Sequence, residues 1–238
     1  MKINWGLIKF LVLTSLVVFL FSFTKKRNAT RNLSKIDIEF LDDNEPFITR
    51  STVNKLLIQN HDSVTGIVKE ALVLKEAEAR LRENKMIRDA EVFITVDGVL
   101  GARIEQRNPI ARVAASNDYY LDADGKNMPL SRVYSARVPI VRMNSKVEVG
   151  ALTTLLLKMR DDDFMKMSVV GLNVSNDGLI EMQLRKQDFK IIFGKAENIE
   201  KKFQNFKAFY QKAKMDSTLQ SYKTVDLQFG SQVVATKK

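Results

Sequence analysis

The stretch from Trp5 to Phe23 decides what the rest of this chain can be. It reads Trp-Gly-Leu-Ile-Lys-Phe-Leu-Val-Leu-Thr-Ser-Leu-Val-Val-Phe-Leu-Phe-Ser-Phe, with no charge between Phe10 and Phe23. As a helix rising about 1.5 Å per residue, Ile3 to Phe23 spans roughly 31 Å, enough for a bilayer core. Lys9 lies near its start, where the long stem returns the ammonium to the headgroups. Phe21-Ser22-Phe23-Thr24-Lys25 is too bulky for the small-x-small site at which a signal peptide is removed. The expectation is a retained anchor over 5–24, built on Leu7, Phe10, Leu13, Leu16 and Phe19, with a short tail at 1–4. A linker at 25–33 then leads to a domain tethered at the membrane surface.

Composition narrows what that domain does. The chain has 238 residues, with no cysteine and one histidine, His61. Thiolate metal sites, disulfide staples and multi-histidine metal sites are therefore excluded. The net charge of +10 is spread along the chain and mixed with acids, with no basic stripe interleaved with aromatics, which argues against nucleic-acid binding. Orientation is not settled by charge. Lys25, Lys26, Arg27 and Arg31 follow the apolar segment, so the positive-inside rule puts the large domain in the cytoplasm. A very short tail before a first apolar segment argues for the opposite.

Beyond the linker, Lys35-Ile36-Asp37-Ile38-Glu39-Phe40 alternates as a half-buried strand. Thr49 caps a helix carrying Val53, Leu56 and Leu57 on one face, which ends near Asn60. A second helix runs from about Ala71 to Asn84, with Leu74, Ala77 and Leu81 inside and Glu76–Arg80 as an exposed pair. Strands Ala90–Val96 and Leu100–Arg107 flank Asp97-Gly98, a hairpin signal of the type that needs positive φ at both residues. Residues 34–108 thus read strand–helix–helix–strand–strand. After Asn108-Pro109, strands are expected at Ile110–Ala114, Tyr119–Leu121, Met128–Leu130 and Val138–Val141, the last with a proline marking an edge or a strand start. A helix at Ala151–Arg160 leads to strands at Ser168–Val174, Leu179–Arg185 and Phe189–Phe193. A helix at Glu197–Lys214 buries Ile199, Phe203, Phe206 and Tyr210, and strands Tyr222–Phe229 and Gln232–Thr236 close residues 109–238. The fold class is α+β.

Catalytic chemistry is sparse. Asp122-x-Asp124-Gly125 resembles the start of a calcium loop, but no further ligands follow in register, so a polar turn is the better reading. Asp161-Asp162-Asp163 reads as a solvated helix end, and His61 as a surface loop residue. No phosphate-cradling glycine loop or nucleophile elbow is present. No metal and no cofactor is expected, and no enzymatic activity. What remains is surface for partners. Val225-Asp226-Leu227-Gln228-Phe229 alternates, and as a terminal strand it is either a sheet edge able to accept another strand or an ordinary interior strand; spacing alone leaves both open.

The order of these features resembles the bacterial cell-division family FtsQ/DivIB over nearly the whole chain. Asn84-Lys85-Met86-Ile87-Arg88-Asp89-Ala90-Glu91-Val92 and Gln106-Arg107-Asn108-Pro109-Ile110-Ala111-Arg112 are similar to the family's POTRA domain and its exit. Tyr120-Leu121-Asp122-x-Asp124-Gly125 and Ser135-Ala136-Arg137-Val138-Pro139 resemble the start of its second, β-rich domain. Val225-Asp226-Leu227-Gln228-Phe229 resembles its C-terminal Val-Asp-Leu-Arg-aromatic strand, with Gln228 in place of the arginine. The resemblance implies a non-enzymatic scaffold with one inner-membrane span, its N-terminus in the cytoplasm and its large part outside. It implies binding of the coiled-coil proteins FtsB and FtsL and a part in controlling septal cell-wall synthesis. FtsB would add as a strand at Thr224, Phe229, Ser231, Val233 and Val234. Two competing readings are an envelope chaperone or outer-membrane assembly factor with a POTRA domain, and a membrane-anchored enzyme.

Overall fold

The structure, a computed structural model, describes residues 5–29, 32–42, 46–58, 65, 73–143, 149–230 and 232–238. His61, Ser231 and residues 71–72 of the expected second helix lie outside these. The chain forms two compact units, residues 1–106 and 107–238.

Helix α1, Trp5–Ala29, is long and apolar enough to cross a membrane. Phe10, Leu13, Leu16 and Phe19 are all more than half exposed; the side chain of Leu7 is outside the described part. Thr14 donates its hydroxyl to the Phe10 carbonyl at 2.9 Å, which satisfies it without leaving the helix. The helix runs on past Phe23 through the basic residues to Ala29, so the first part of the expected linker is helical.

In the rest of the first unit the order is β1 (Lys35–Phe40), α2 (Arg50–Ile58), α3 (Leu74–Glu83), β2 (Ile87–Ile94) and β3 (Val99–Gln106). The sheet order is β1-β3-β2, with β1 parallel and β2 antiparallel to β3. The two helices lie in the connection from β1 to β2. Thr49 accepts the Thr52 N–H at 3.1 Å as the expected cap. Val53, Leu57, Ala77 and Leu81 are buried with Ile38, Leu100 and Ile104. Arg80 does not form the expected pair with Glu76; it donates to the Leu56 and Leu57 carbonyls at 3.1 and 3.3 Å, closing the C-terminal end of α2. The surface pair on α3 is Glu78–Arg82.

The Asp97-Gly98 turn also differs from expectation. Only Gly98 has positive φ, and its N–H returns to the Thr95 carbonyl at 3.0 Å. This is a turn followed by a left-handed glycine, a geometry in which Asp97 need not leave the ordinary region. Gly125 closes onto Asp122 and Gly178 onto Ser175 in the same way.

The second unit contains β4 (Pro109–Ala114), β5 (Tyr119–Asp122), β6 (Asn127–Pro129), β7 (Ile140–Met143), α4 (Val149–Asp161), α5 (Asp163–Ser168), β8 (Val169–Val174), β9 (Ile180–Leu184), β10 (Lys190–Gly194), α6 (Ile199–Met215), β11 (Tyr222–Asp226) and β12 (Val234–Lys237). Its sheet runs β12-β11-β10-β9-β8-β7-β4-β5-β6. Parallel neighbours β7/β8 and β10/β11 are joined through helices, as parallel pairing requires. Leu152, Leu155, Leu156 and Met159 of α4 and Phe203 and Phe206 of α6 pack on Leu172, Met182, Ile191 and Phe193. Tyr210 sits at the rim of this core against Phe164, ring centroids 5.2 Å apart. β7 is interior, and Pro139 stands just before it, so the proline marks a strand start.

The run Asp161–Asp163 is a junction between helices. Asp162 caps α5 through the Met165 N–H at 3.1 Å and pairs with Lys207 of α6. Burial alone would raise the Asp162 carboxyl, but Lys207 and the N–H groups of Met165 and Phe164 outweigh it and hold it below its ordinary value. A depressed carboxylate contributes stability above its unfolded value, which is lost as pH falls through the folded one. Asp162→Ala is expected to cost about 1–2 kcal/mol at neutral pH, from the lost cap and ion pair. Urea melts at pH 7 and near pH 3 check this, since the gap to wild type narrows in acid.

Candidate functional site

Alternation holds in packing from Val225 to Leu227 and breaks at Phe229. Val225 and Leu227 are 0% and 2% exposed, inside the core, while Phe229 is 49% exposed. β11 itself stops at Asp226. The Leu227 N–H still reaches the Ile192 carbonyl at 2.9 Å, but the Asp226 carboxylate takes the Gln228 N–H at 2.9 Å and turns the chain. A further turn follows, closed by the Gln232 N–H on the Phe229 carbonyl at 3.0 Å. The chain then returns antiparallel as β12, in register Asp226↔Val234, Val225↔Ala235 and Thr224↔Thr236.

β11 is therefore the interior strand of the two alternatives, held between β10 and β12. Thr224 is opposite Lys190 on one side and Thr236 on the other, so its backbone is not at a free edge and only its half-buried side chain is open to a partner. The edge is β12, which among the described residues has β11 on one side and no strand on the other. Val234 is 41% exposed on it, while the neighbouring Val233 and Ala235 pack against the core. Phe229 and Val234 thus combine exposure with apolar character next to free ladder positions. Lys237 and Lys238 make the end of the edge basic.

The edge is positioned from below by α6. Lys202 points into the unit, donating to the Phe193 and Lys195 carbonyls at 2.8 and 2.9 Å with its ammonium 4.5 Å from the Phe193 ring centre. Burial pushes this ammonium down from the ordinary lysine range, against the pull of Glu197 and Asp226. Asn205 of the same helix lies 3.5 Å from the Gly230 carbonyl. The one sequence signal for Lys202 is its i, i+3 and i, i+4 spacing to Ile199 and Phe206, which places it on the apolar stripe. Nothing local in the sequence marks Gly194. Its φ is +71°, and a Cβ there would stand 2.7 Å from Cγ of Gln228. Gln228 is thus laid along the end of β10.

The calcium-like segment is a turn braced by a buried ion pair. Asp122 is 1% exposed and accepts Arg107 Nη1 at 2.7 Å, the Asp124 N–H at 3.0 Å and the Lys126 N–H at 2.7 Å. Its oxygens are engaged by cation and backbone from within the chain. Among the described residues no cluster of three or more histidine, aspartate or glutamate side chains is placed to hold a metal.

Gly194→Ala is expected to destabilise the protein by about 1–2 kcal/mol, through left-handed strain and the collision with Gln228. Thermal and urea denaturation of the pair Gly194→Ala and Gly194→Ala/Gln228→Ala checks this, the second variant recovering the collision part alone.

Comparison with known protein families covers this region. The family model described as FtsQ/DivIB, C-terminal related, matches residues 108–236, more than half the chain and nearly all of the second unit. No curated protein matches the chain. The family is one of bacterial cell division, and its members are in general non-enzymatic scaffolds. With the sheet edge and its supporting helix inside the matched region, the chain belongs to the FtsQ/DivIB family.

Proposed function

We propose that the protein is a membrane-anchored scaffold of the division machinery that captures a small coiled-coil division protein of the FtsB/FtsL type by adding one of its segments as a strand to β12. The observation that carries this reading is the edge itself. β12 ends a nine-stranded sheet with alternate N–H and C=O groups turned outward. Two exposed apolar side chains accompany it, Val234 at its start and Phe229 just before it, and all of it but Lys237 lies within the family match. Thr224 contributes from the face of the sheet and Val233 by holding β12 to the core; Ser231, outside the described residues, completes the proposed contact.

On this reading α1 is the single inner-membrane span, with the N-terminus in the cytoplasm and both units outside. The strand–helix–helix–strand–strand order of residues 34–108 supports a POTRA-like domain, with residues 109–238 as the partner-binding domain and septal cell-wall synthesis as the process controlled. Strand addition draws affinity from backbone bonds and specificity from alternate side chains, so it needs no catalytic cluster.

The test is capture of coiled-coil partners from solubilised, crosslinked membranes by full-length protein. Phe229→Asp and Val234→Asp are each expected to lose about 2 kcal/mol of binding, some thirtyfold, with circular dichroism unchanged. Equal capture by wild type and both variants would move the contact elsewhere. Recovery of outer-membrane assembly proteins in place of division proteins would replace the scaffold reading.

A further inference from the structure

The sheet of the first unit also has an outer strand, and its edge is treated differently. Among the described residues β2 pairs with β3 and has no strand on its far side. In an antiparallel ladder alternate residues turn both N–H and C=O away from the partner. At the middle of β2 these are Ala90 and Val92, whose side chains face the core. Three of these four outward groups are occupied by side chains. The Val92 N–H donates to Glu78 Oε1 at 3.0 Å, the Ala90 carbonyl accepts Arg82 Nη2 at 2.7 Å, and the Ala90 N–H donates to Asp89 Oδ1 at 2.8 Å.

The groups that do this also hold one another. Arg82 Nε reaches Asp89 Oδ1 at 2.6 Å, and Arg82 Nη1 reaches Glu78 Oε2 at 3.4 Å. Glu78 and Arg82 are one helical turn apart on α3, which packs beside β2. Arg82 holds the Asp89 carboxyl below its ordinary range, with the Ala90 N–H adding to the effect. Exposed ion pairs between side chains contribute little by themselves. Here the same three side chains fill hydrogen-bond positions that another strand would otherwise take. No side chain is placed in this way on the outer groups of β12 among the described residues.

We propose that Glu78, Arg82 and Asp89 form a bracket that closes the β2 edge to strand addition by a second copy of this chain. Copies tethered by α1 present the same unit to one another in one plane. An uncovered strand of eight residues (Ile87–Ile94) would pair with its own counterpart about a twofold axis. The bracket prevents this at β2 and leaves the edge of β12 open to a partner. That last clause rests on the reading of β12 given above; the closure of β2 does not.

The experiment uses full-length protein in nanodiscs. The chain has no cysteine, so Glu91→Cys gives a single reporter on the exposed side of β2. Against this background Glu78→Ala/Arg82→Ala is compared with Glu78→Gln, which retains an acceptor for the Val92 N–H. The double variant is expected to raise amide exchange at Val92 by about tenfold or more and to yield intermolecular disulfide through the reporter, while Glu78→Gln stays close to wild type. Unchanged exchange in the double variant, or raised exchange without crosslinking, overturns the proposal. If circular dichroism shows the double variant unfolded, Glu78→Ala alone takes its place under the same two criteria. Capture through β12 is expected to be unaltered in all these variants, so failure of the β12 reading shows only in the Phe229 and Val234 variants.

Discussion

The packing of α6 across the sheet is the constraint on which the second unit depends. Phe203 and Phe206 lie on the layer that includes Ile191, Phe193, Val225 and Leu227, so the helix covers β10 and β11 together. A helical connection of this kind brings β11 back parallel to β10, leaving the remaining side of β11 for a hairpin partner. That partner is β12, and the edge falls there because nothing in the connection returns beyond it. Lys202 ties α6 to the end of β10. An ammonium with two carbonyl acceptors and an aromatic face tolerates burial, whereas an unpaired one would not.

The two sheets handle the same physical problem in opposite ways. Every open sheet ends in strands whose outward polar groups lack a ladder partner. In the second unit one end, β6, is three residues long and finishes on Pro129, a poor template for pairing. The other end, β12, keeps its outer groups uncovered. In the first unit the edge of β2 is filled by side chains from the neighbouring helix. On our reading β12 stays open to a partner while β2 is closed to a second copy of the chain.

Buried charge in the second unit follows the same economy of pairing. Asp122 is enclosed, yet each of its oxygens has a partner, and the turn it braces joins β5 to β6. An acidic sequence that reads as the start of a cation loop is here neutralised by Arg107, an arginine from the chain's own entry into the unit. Asp162 does comparable work where α4 gives way to α5, linking that junction to Lys207 on α6.

How much of this was legible in the residues depends on the range of the forces involved. Local periodicity and turn chemistry determined the elements: the long apolar N-terminal helix, the strand–helix–helix–strand–strand order, the apolar stripes of α4 and α6, and a final segment with one inward side. The order of short motifs was enough for the family, since order and spacing are properties of the chain. Tertiary structure decided what depends on neighbours distant in sequence. Whether β11 was edge or interior turned on where α6 sent the chain, and alternation is the same in both cases. Arg80 left its expected partner because the end of α2 offered carbonyls, and Asp97 kept an ordinary backbone because Gly98 alone absorbed the turn. The bracket on β2 joins residues of a helix and a strand that only the fold brings into register. Side-chain period is set one residue at a time, but a hydrogen-bond edge exists only once every other strand has found its place.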